Sequence, residues 1–258
     1  MLVLDKLCYT SKLRYVNAGE KFAFAILTLL VCIISRSIII AAIVLAATGI
    51  LTVFIGKVPI SCYLRFMKWP LVFLCLSIIA IVLNFTRTPL DAFALPLGNI
   101  YITGSYQSLG LALQLVCTAM ASVSCLYFLS LSTPMTDILT VFKKMHCPEL
   151  FIELMLLIYR FIFILFDISS AISVSQHSRL GNRDLKTSCQ SAGHLLSALL
   201  VRAFQKSSAL YDAMESRCYS GSICVLEEDY PPQTKEILFI IIFEGILISI
   251  MLYLKIGV

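Results

Sequence analysis

Long apolar runs alternate with short polar segments along most of the chain, and the length of these runs indicates helices that cross a bilayer. The candidate membrane spans are Phe22–Ile34, Ile38–Ile55, Trp69–Phe85, Tyr106–Leu131 and Ile237–Leu254. A hydrocarbon core about 30 Å thick requires about 20 apolar residues in a helix, so the first run is short unless its flanks contribute. Only Ser35-Arg36-Ser37 separates the first two runs, which predicts a tight helical hairpin.

A sixth apolar run, Leu150–Phe166, is ambiguous because it contains the charged residues Glu153 and Arg160. Charges inside a spanning helix are costly unless they face other protein groups. The run could therefore cross the membrane with its charges turned inward. Alternatively, it could lie along the membrane surface as an amphipathic helix.

The distribution of basic residues favours the surface location for this sixth run. If five helices span and the N-terminus is inside, all of the 20 Lys and Arg residues fall on the cytoplasmic side except Arg36, Arg87 and Lys255. Cytoplasmic segments of membrane proteins are enriched in Lys and Arg in this way. We therefore predict a multi-pass protein of the plasma membrane with about five spans and a cytoplasmic N-terminus.

The segment between the fourth and fifth spans is too long for a connecting loop and should contain helices of its own. We predict N-terminal spans in residues 1–131, cytoplasmic or interfacial helices in 132–235, and a closing span in 236–258. Apolar residues at three- and four-residue steps predict a helix over Gly193–Met214, and a second helix should run from about Pro148 to His177. Gly181 and Gly221 are the expected stop signals of these helices.

The composition supports a membrane protein and excludes two other classes. Apolar residues make up 59% of the chain and charged residues 14%, with a mean hydropathy of +0.93. Soluble domains are about 45–50% apolar and about 25% charged, so a water-soluble enzyme is excluded. Disordered chains are poor in apolar residues, so disorder is excluded too. The predicted fold class is an all-α, polytopic helical membrane protein.

Residues that would bind nucleotides or metals do not form recognisable patterns. The chain lacks the Gly-x4-Gly-Lys-[Ser/Thr] phosphate loop, so it is not expected to bind or hydrolyse ATP itself. His146, His177 and His194 fall in no ligand-like cluster, and no pair of cysteines has Cys-x-x-Cys spacing. We therefore predict neither a metal site nor a cofactor. Glu244, inside the last span, should face protein or be neutral.

Two arginines stand near the ends of predicted helices, in Ser178-Arg179-Leu180-Gly181 and Glu215-Ser216-Arg217-Cys218. An arginine near a helix C-terminus interacts favourably with the macrodipole, which alone explains its position. The other interpretation is that each arginine enters an acidic groove on a cytoplasmic partner. The planar guanidinium suits this role because it binds a carboxylate with two hydrogen bonds.

The segment from Arg202 to Gly221, which includes Leu210-Tyr211-Asp212-Ala213-Met214-Glu215-Ser216-Arg217-Cys218-Tyr219, resembles the signature of the transmembrane (T) component of energy-coupling factor transporters. That family carries two short motifs, usually Ala-Arg-Gly, at the ends of cytoplasmic coupling helices. Ser178-Arg179-Leu180 and Ser216-Arg217-Cys218 resemble these motifs, with Ser in place of Ala and Leu or Cys in place of Gly. The N-terminal stretch Leu4–Lys21 is similar to the cobalt branch, the CbiQ-like proteins.

The resemblance implies a scaffold subunit that is not an enzyme. Such a T component joins a substrate-binding membrane component (S or M) to two ABC-type ATPase subunits in the lipid bilayer, with no nucleic acid involved. By position, Ser178, Arg179, Leu180, Ser216, Arg217 and Cys218 would dock the ATPases. The transported ion would be cobalt, destined for cobalamin biosynthesis. A side chain at the usual Gly position could obstruct docking, or the partner could have changed to suit it.

Three alternatives remain open at the level of the sequence. The same scaffold could serve nickel or a vitamin, because the T component does not select the substrate. An integral membrane enzyme with its active site at the cytoplasmic face is a second class; Glu149, Glu153 and Asp167 are its candidates, but their spacing matches no acid–base or metal pattern. A secondary transporter would show two repeated halves, and four spans, a block and one span do not divide that way.

Overall fold

A computed structural model describes residues 3–82, 84–86, 93–97, 100–104, 106–219, 221 and 230–256. In the first half, the elements are α1 (Val3–Thr10), a 3-10 turn (Lys12–Tyr15), α2 (Ala18–Ser35), α3 (Ile38–Ile50) with a π-helical end (Leu51–Ile55), and α4 (Ile60–Val82). Three strands follow, β1 (Asn84–Thr86), β2 (Phe93–Leu97) and β3 (Ile100–Gly104). The remaining helices are α5 (Tyr106–Ser132), α6 (Met135–Lys144), α7 (Glu149–Ser178), α8 (Leu185–Glu215) and α9 (Thr234–Ile256).

The predicted class of a helical, multi-pass membrane protein is confirmed. In the described part of the chain, five helices are long and apolar enough to cross a membrane: Ala18–Ser35, Ile38–Ile55, Ile60–Ile78, Leu109–Ser132 and Thr234–Lys255. The predicted hairpin is present between α2 and α3, where Arg36 adopts a left-handed conformation with φ of 46°. The ambiguous run Leu150–Phe166 belongs to α7, which is not among these five helices.

The third span begins earlier than predicted. Trp69-Pro70 does not open this helix, because α4 starts at Ile60 and Pro70 lies inside it. Proline has no N–H, so Pro70 cannot donate to the carbonyl of Phe66 one turn before it. The hydroxyl of Tyr127 in α5 donates to that carbonyl at 3.3 Å instead. A helix can therefore continue through the proline because a neighbouring helix satisfies the freed carbonyl.

The three short strands between α4 and α5 were not predicted from the sequence. They form an antiparallel sheet in the order β1-β3-β2, in which Asn84 pairs with Thr103 and Phe93 with Gly104. The predicted third span ran on to Phe85, but α4 ends at Val82 and Phe85 belongs to β1. A strand this short differs little in sequence from the end of an apolar helix. Arg87, predicted to face outward, lies outside the described residues.

Small and hydroxyl-bearing residues of α5 allow the helices to pack closely. Ala121 and Ser124 are fully buried, as expected for close packing between spans. The hydroxyl of Ser124 lies 2.6 Å from that of Thr48 in α3 and 2.8 Å from that of Tyr63 in α4. Three helices are thus joined by a buried chain of hydroxyl groups. These groups satisfy one another where a membrane supplies no water.

Backbone contacts divide the chain into two compact units. The bundle unit comprises Leu2–Ile138 and Asp229–Val258 and contains the five membrane-length helices. The α7–α8 unit comprises Leu139–Glu228. The helix predicted over Gly193–Met214 is α8, which starts eight residues earlier, at Leu185. The helix predicted from Pro148 to His177 is α7, with Pro148 as its N-cap.

Candidate functional site

The first arginine-bearing turn closes α7 with a regular pattern of backbone hydrogen bonds. Arg179 is the C-cap residue of this helix. The N–H of Leu180 donates to the carbonyl of His177 at 3.1 Å, and the N–H of Gly181 donates to that of Gln176 at 2.8 Å. This pair of bonds defines the Schellman motif, in which the residue after the C-cap is left-handed. Leu180 is that residue, with φ of 59°.

The second arginine-bearing turn, after α8, has the same geometry. The N–H of Cys218 donates to the carbonyl of Glu215 at 3.0 Å, and the N–H of Tyr219 donates to that of Met214 at 3.1 Å. Cys218 is left-handed, with φ of 60°. Arg217 therefore occupies the same position as Arg179, one residue before the left-handed residue. The two sequence motifs therefore share one structural motif.

The third position of each motif, Leu180 or Cys218, has the backbone conformation that favours glycine. Glycine adopts a positive φ freely, whereas other L residues pay about 1–2 kcal/mol there. In this chain, glycine at either position would therefore be favoured by the backbone itself, apart from any effect on the approach of a partner. Gly181 and Gly221, the expected stop signals, both follow the helix ends, and Gly221 has a positive φ of 96°. The left-handed residues within the two turns are Leu180 and Cys218.

A third helix of the described chain ends in the same way but without an arginine. After α6, His146 is left-handed with φ of 61°, and the N–H of Cys147 donates to the carbonyl of Phe142 at 3.1 Å. Met145 occupies the position equivalent to the two arginines. The turn geometry is therefore a general helix ending in this protein. The guanidinium groups are what distinguish the turns after α7 and α8.

All six predicted site residues lie at the surface of the α7–α8 unit. The side chains of Ser178, Arg179, Leu180, Ser216, Arg217 and Cys218 are exposed. The hydroxyl of Ser178 donates to the carbonyl of Val174, and that of Ser216 to the carbonyl of Ala213, each at 3.0 Å. Because each serine bonds to its own helix, it presents a compact surface much as alanine would. The change from Ala to Ser is therefore compatible with the same site.

Side-chain hydrogen bonds fasten the first turn to the start of α8. The amide of Gln176 donates to the carbonyl of Ser191, and the hydroxyl of Ser191 donates to the carbonyl of Gly181, each at 2.8 Å. Gly181 is required by this close approach. A Cβ atom added to it would lie 2.8 Å from both the Gln176 carbonyl oxygen and the Ser191 hydroxyl.

A different bond fastens the second turn to the start of α7. The hydroxyl of Tyr219 donates to Oε2 of Glu153 at 2.9 Å. Glu153 is buried, with 9% of its surface exposed. The hydrogen bond to this carboxylate is the main cause that raises the pKa of Tyr219 above its usual value. The sequence analysis treated Glu153 as a charge in an apolar run and as a candidate of the alternative membrane enzyme, since nothing local connects it with a tyrosine 66 residues away.

The two arginine-bearing turns lie beyond opposite ends of α8. This helix has 31 residues. At a rise of 1.5 Å per residue, its ends are roughly 46 Å apart. Because a small domain is only about 30 Å across, the turns are too far apart to enter one groove.

The sequence also did not reveal the role of Lys21 in the bundle unit. In the sequence analysis it was one of the cytoplasmic basic residues and the last residue of the stretch that resembles the cobalt branch. Its side chain is 3% exposed, and Nζ donates to the carbonyls of Leu13 at 2.9 Å and Ser132 at 3.1 Å. Ser132 is the last residue of α5, where a cation opposes the helix dipole. Lys21 therefore joins the N-terminal turn, α2 and the end of α5 just before α6 begins.

Glu244 faces protein, as predicted for a carboxyl group inside the last span. It is 7% exposed. Neither of its carboxyl oxygens has a hydrogen-bond partner among the described residues. Its neighbours along α9, Phe243 and Leu247, belong to the packed interior. Its surroundings are those of a residue packed between helices.

Comparison with known families identifies the class of membrane protein. Residues 10–226 match the family model of CbiQ, the cobalt transport protein. The chain belongs to the CbiQ family. The resemblance read from the motifs is thereby confirmed, and the chain is a membrane component of a cobalt transport system. Membership of a family of transport proteins also favours a subunit that is not itself an enzyme.

Individual CbiQ relatives match along most of this chain. It is 34% identical over 246 residues to an uncharacterised protein of Methanocaldococcus jannaschii, covering 95% of this chain and 91% of the relative. It is 24% identical over 222 residues to the cobalt transport protein CbiQ of Salmonella typhimurium, covering 86% and 98%. A protein of Methanocorpusculum labreanum, provisionally named as a fused cobalt transport protein CbiMQ, is 31% identical over 229 residues; this chain spans 38% of that longer protein.

Proposed function

We propose that this protein is the transmembrane coupling (T) component of an ATP-driven energy-coupling factor importer for cobalt ions. In this proposal the turns that contain Arg179 and Arg217 dock two ABC-type ATPase subunits at the cytoplasmic face. Movement of the ATPases is then transmitted through α7 and α8 to a substrate-binding membrane component. The observation that carries the proposal is the repeated turn, with one exposed arginine in the same position at each end of α8.

The geometry of the turns fits docking onto two similar subunits. An exposed guanidinium at a helix end is available for a bidentate bond with a carboxylate. Because Arg179 and Arg217 project from matching backbone turns, each suits an equivalent acidic groove. The separation of roughly 46 Å along α8 supports docking to two grooves on two ATPase subunits.

The proposed membrane partner is an M-type substrate-binding component. The fused relative is named as a combination of CbiM and CbiQ, and the matched part corresponds to 38% of its length. Two parts of one polypeptide remain together, which supports a functional association of separate M and Q chains. Nickel or a vitamin is the alternative substrate for the same scaffold. Uptake assays in reconstituted vesicles with each substrate would separate these possibilities.

The proposed orientation places the N-terminus and α6–α8 in the cytoplasm. It depends on the excess of basic residues in these segments, with only Arg36, Arg87 and Lys255 assigned outside. Cys189 on α8 is exposed and offers a direct test. In intact cells a membrane-impermeant maleimide should leave it unmodified, and in inverted vesicles it should react. Reaction in intact cells would overturn the orientation.

The docking role is tested by co-purification from cells that also express the two ATPase subunits and the membrane component. Wild type should retain the ATPases in mild detergent, and the Arg179→Ala/Arg217→Ala variant should lose them. The matched control is Arg183→Ala/Arg202→Ala, which removes two exposed arginines that lie away from the turn positions. Equal retention by both double variants would refute docking through the turns. Failure of wild type to retain any ATPase would refute the scaffold function itself.

A further inference from the structure

We propose that Tyr219 and Glu153 form a latch that positions Arg217 for docking. The latch is the hydrogen bond from the Tyr219 hydroxyl to Oε2 of Glu153, 2.9 Å long. Tyr219 is thus a positioning residue that acts through Arg217, two residues before it. This inference rests on the proposed docking function and extends it to a residue outside the two motifs.

The place of Tyr219 in the turn is the first argument. Its N–H makes the outer bond of the Schellman motif, to the carbonyl of Met214 at 3.1 Å. The backbone of Tyr219 therefore closes the turn, and its side chain ties the closed turn to another helix. Opening of the turn would break the backbone bond, and movement of the turn away from α7 would stretch the side-chain bond.

The burial of Glu153 is the second argument. This carboxylate lies on the first part of α7 and is 9% exposed. A buried carboxylate needs hydrogen-bond donors, and a bond to a charged acceptor is stronger than one between neutral groups. The tyrosine hydroxyl is a donor to it. Glu153 is held by the long helix α7, so it provides a fixed anchor for the end of α8.

The contrast with the other turn is the third argument. The Arg179 turn is fastened to α8 by Gln176 and Ser191, and Gly181 allows the close approach. The Arg217 turn has Tyr219 where the first turn has Gly181, so it cannot be packed in the same way. A longer side chain reaching to a distant carboxylate replaces the short-range contacts. The two turns thus achieve the same attachment with different residues.

The test measures ATPase binding to the purified full-length chain as single and combined variants. Tyr219→Phe removes only the hydroxyl and should weaken binding about tenfold, the effect expected from loss of a hydrogen bond to a charged group. Glu153→Gln retains an acceptor oxygen and should lose less than Tyr219→Phe. Tyr211→Phe is the matched control on α8, because Tyr211 is 58% exposed, and it should bind like wild type.

A double-mutant cycle distinguishes positioning of Arg217 from a general effect on stability. In an Arg217→Ala background, Tyr219→Phe should have no further effect, because the group that it positions is absent. In an Arg179→Ala background, its full effect should persist. Hydrogen–deuterium exchange in the chain alone should also show faster exchange of the 214–219 turn in Tyr219→Phe than in Tyr211→Phe.

The outcomes separate this inference from the docking proposal. If Arg217→Ala does not weaken ATPase binding, docking through this turn is wrong, and the latch has nothing to position. If Arg217→Ala weakens binding but Tyr219→Phe does not, the latch is overturned while docking stands. An equal loss from Tyr219→Phe in both arginine backgrounds would also overturn it, because that pattern indicates general destabilisation.

Discussion

Replacing Leu180 with glycine tests the physical account of the arginine-bearing turns. Leu180 has φ of 59° and is 69% exposed. A left-handed L residue costs about 1–2 kcal/mol, and the extra freedom of glycine in the unfolded chain offsets about 0.5–1 kcal/mol of the gain. Because the side chain is largely exposed, little packing is lost. We therefore expect Leu180→Gly to stabilise the turn by about 0.5–1 kcal/mol.

This difference is measurable as local hydrogen exchange. The N–H of Gly181 donates to the carbonyl of Gln176 at 2.8 Å, so its exchange reports opening of the turn. A gain of about 0.5–1 kcal/mol corresponds to exchange that is about two- to fivefold slower. Mass spectrometry of the peptide that covers residues 174–184 in detergent-purified protein would detect this change.

Two control variants separate the backbone effect from the loss of the leucine side chain. Leu180→Ala removes most of the side chain but keeps Cβ, so the turn should remain strained and the exchange rate should not fall. Leu196 has a similar exposure, 66%, but lies within α8. Glycine there should destabilise the helix by about 1 kcal/mol. Slower exchange in Leu180→Ala, or faster exchange in Leu180→Gly, would refute the claim that the left-handed backbone at position 180 favours glycine.

Three further predictions concern stability and are checked by thermal unfolding in detergent. Gly181→Ala should destabilise by about 1–3 kcal/mol, since its Cβ would crowd the Gln176 carbonyl and the Ser191 hydroxyl at 2.8 Å; an unchanged melting temperature would contradict this close approach. Lys21→Met should cost about 1–3 kcal/mol, because it leaves the Ser132 carbonyl without this donor and removes one of the two donors to the Leu13 carbonyl, which keeps the N–H of Val16, whereas Lys12→Met at an exposed position should cost little. Glu244→Gln should keep or raise the melting temperature, because an amide cannot ionise at this buried site, where the carboxyl group has no hydrogen-bond partner among the described residues, while Glu244→Lys should lower it; equal losses from both would show that the carboxyl group has an essential partner.

The local sequence was sufficient to predict properties that depend on a single helix. A run such as Ile38–Ile55 is apolar over the length needed to cross a bilayer, so it can be predicted as a membrane span without knowledge of the rest of the fold. The hairpin around Arg36 followed from the short separation of two runs. The arginines were found near helix ends because apolar spacing fixes where α7 and α8 end to within a few residues.

The tertiary structure decided features that require a partner from elsewhere in the chain. In the sequence, Pro70 indicated the start of a helix. In the structure the helix continues through Pro70, because the Tyr127 hydroxyl donates to the carbonyl that the proline leaves free. In the sequence, Lys21 was interpreted as a surface charge. In the structure its ammonium group is buried and donates hydrogen bonds to the carbonyls of Leu13 and Ser132.

The candidate site shows the same division. Its arginines and their spacing were visible in the sequence, together with the departure from glycine at Leu180 and Cys218. The left-handed conformation of these two residues was not, because it arises where a helix is closed by bonds to the following residues. The bond between Tyr219 and Glu153 was also hidden, because 66 residues separate its partners along the chain. The sequence determined which helices form and where the two arginines lie. Packing between helices decided which residues stabilise each turn, because hydrogen bonds form between groups that are close in space.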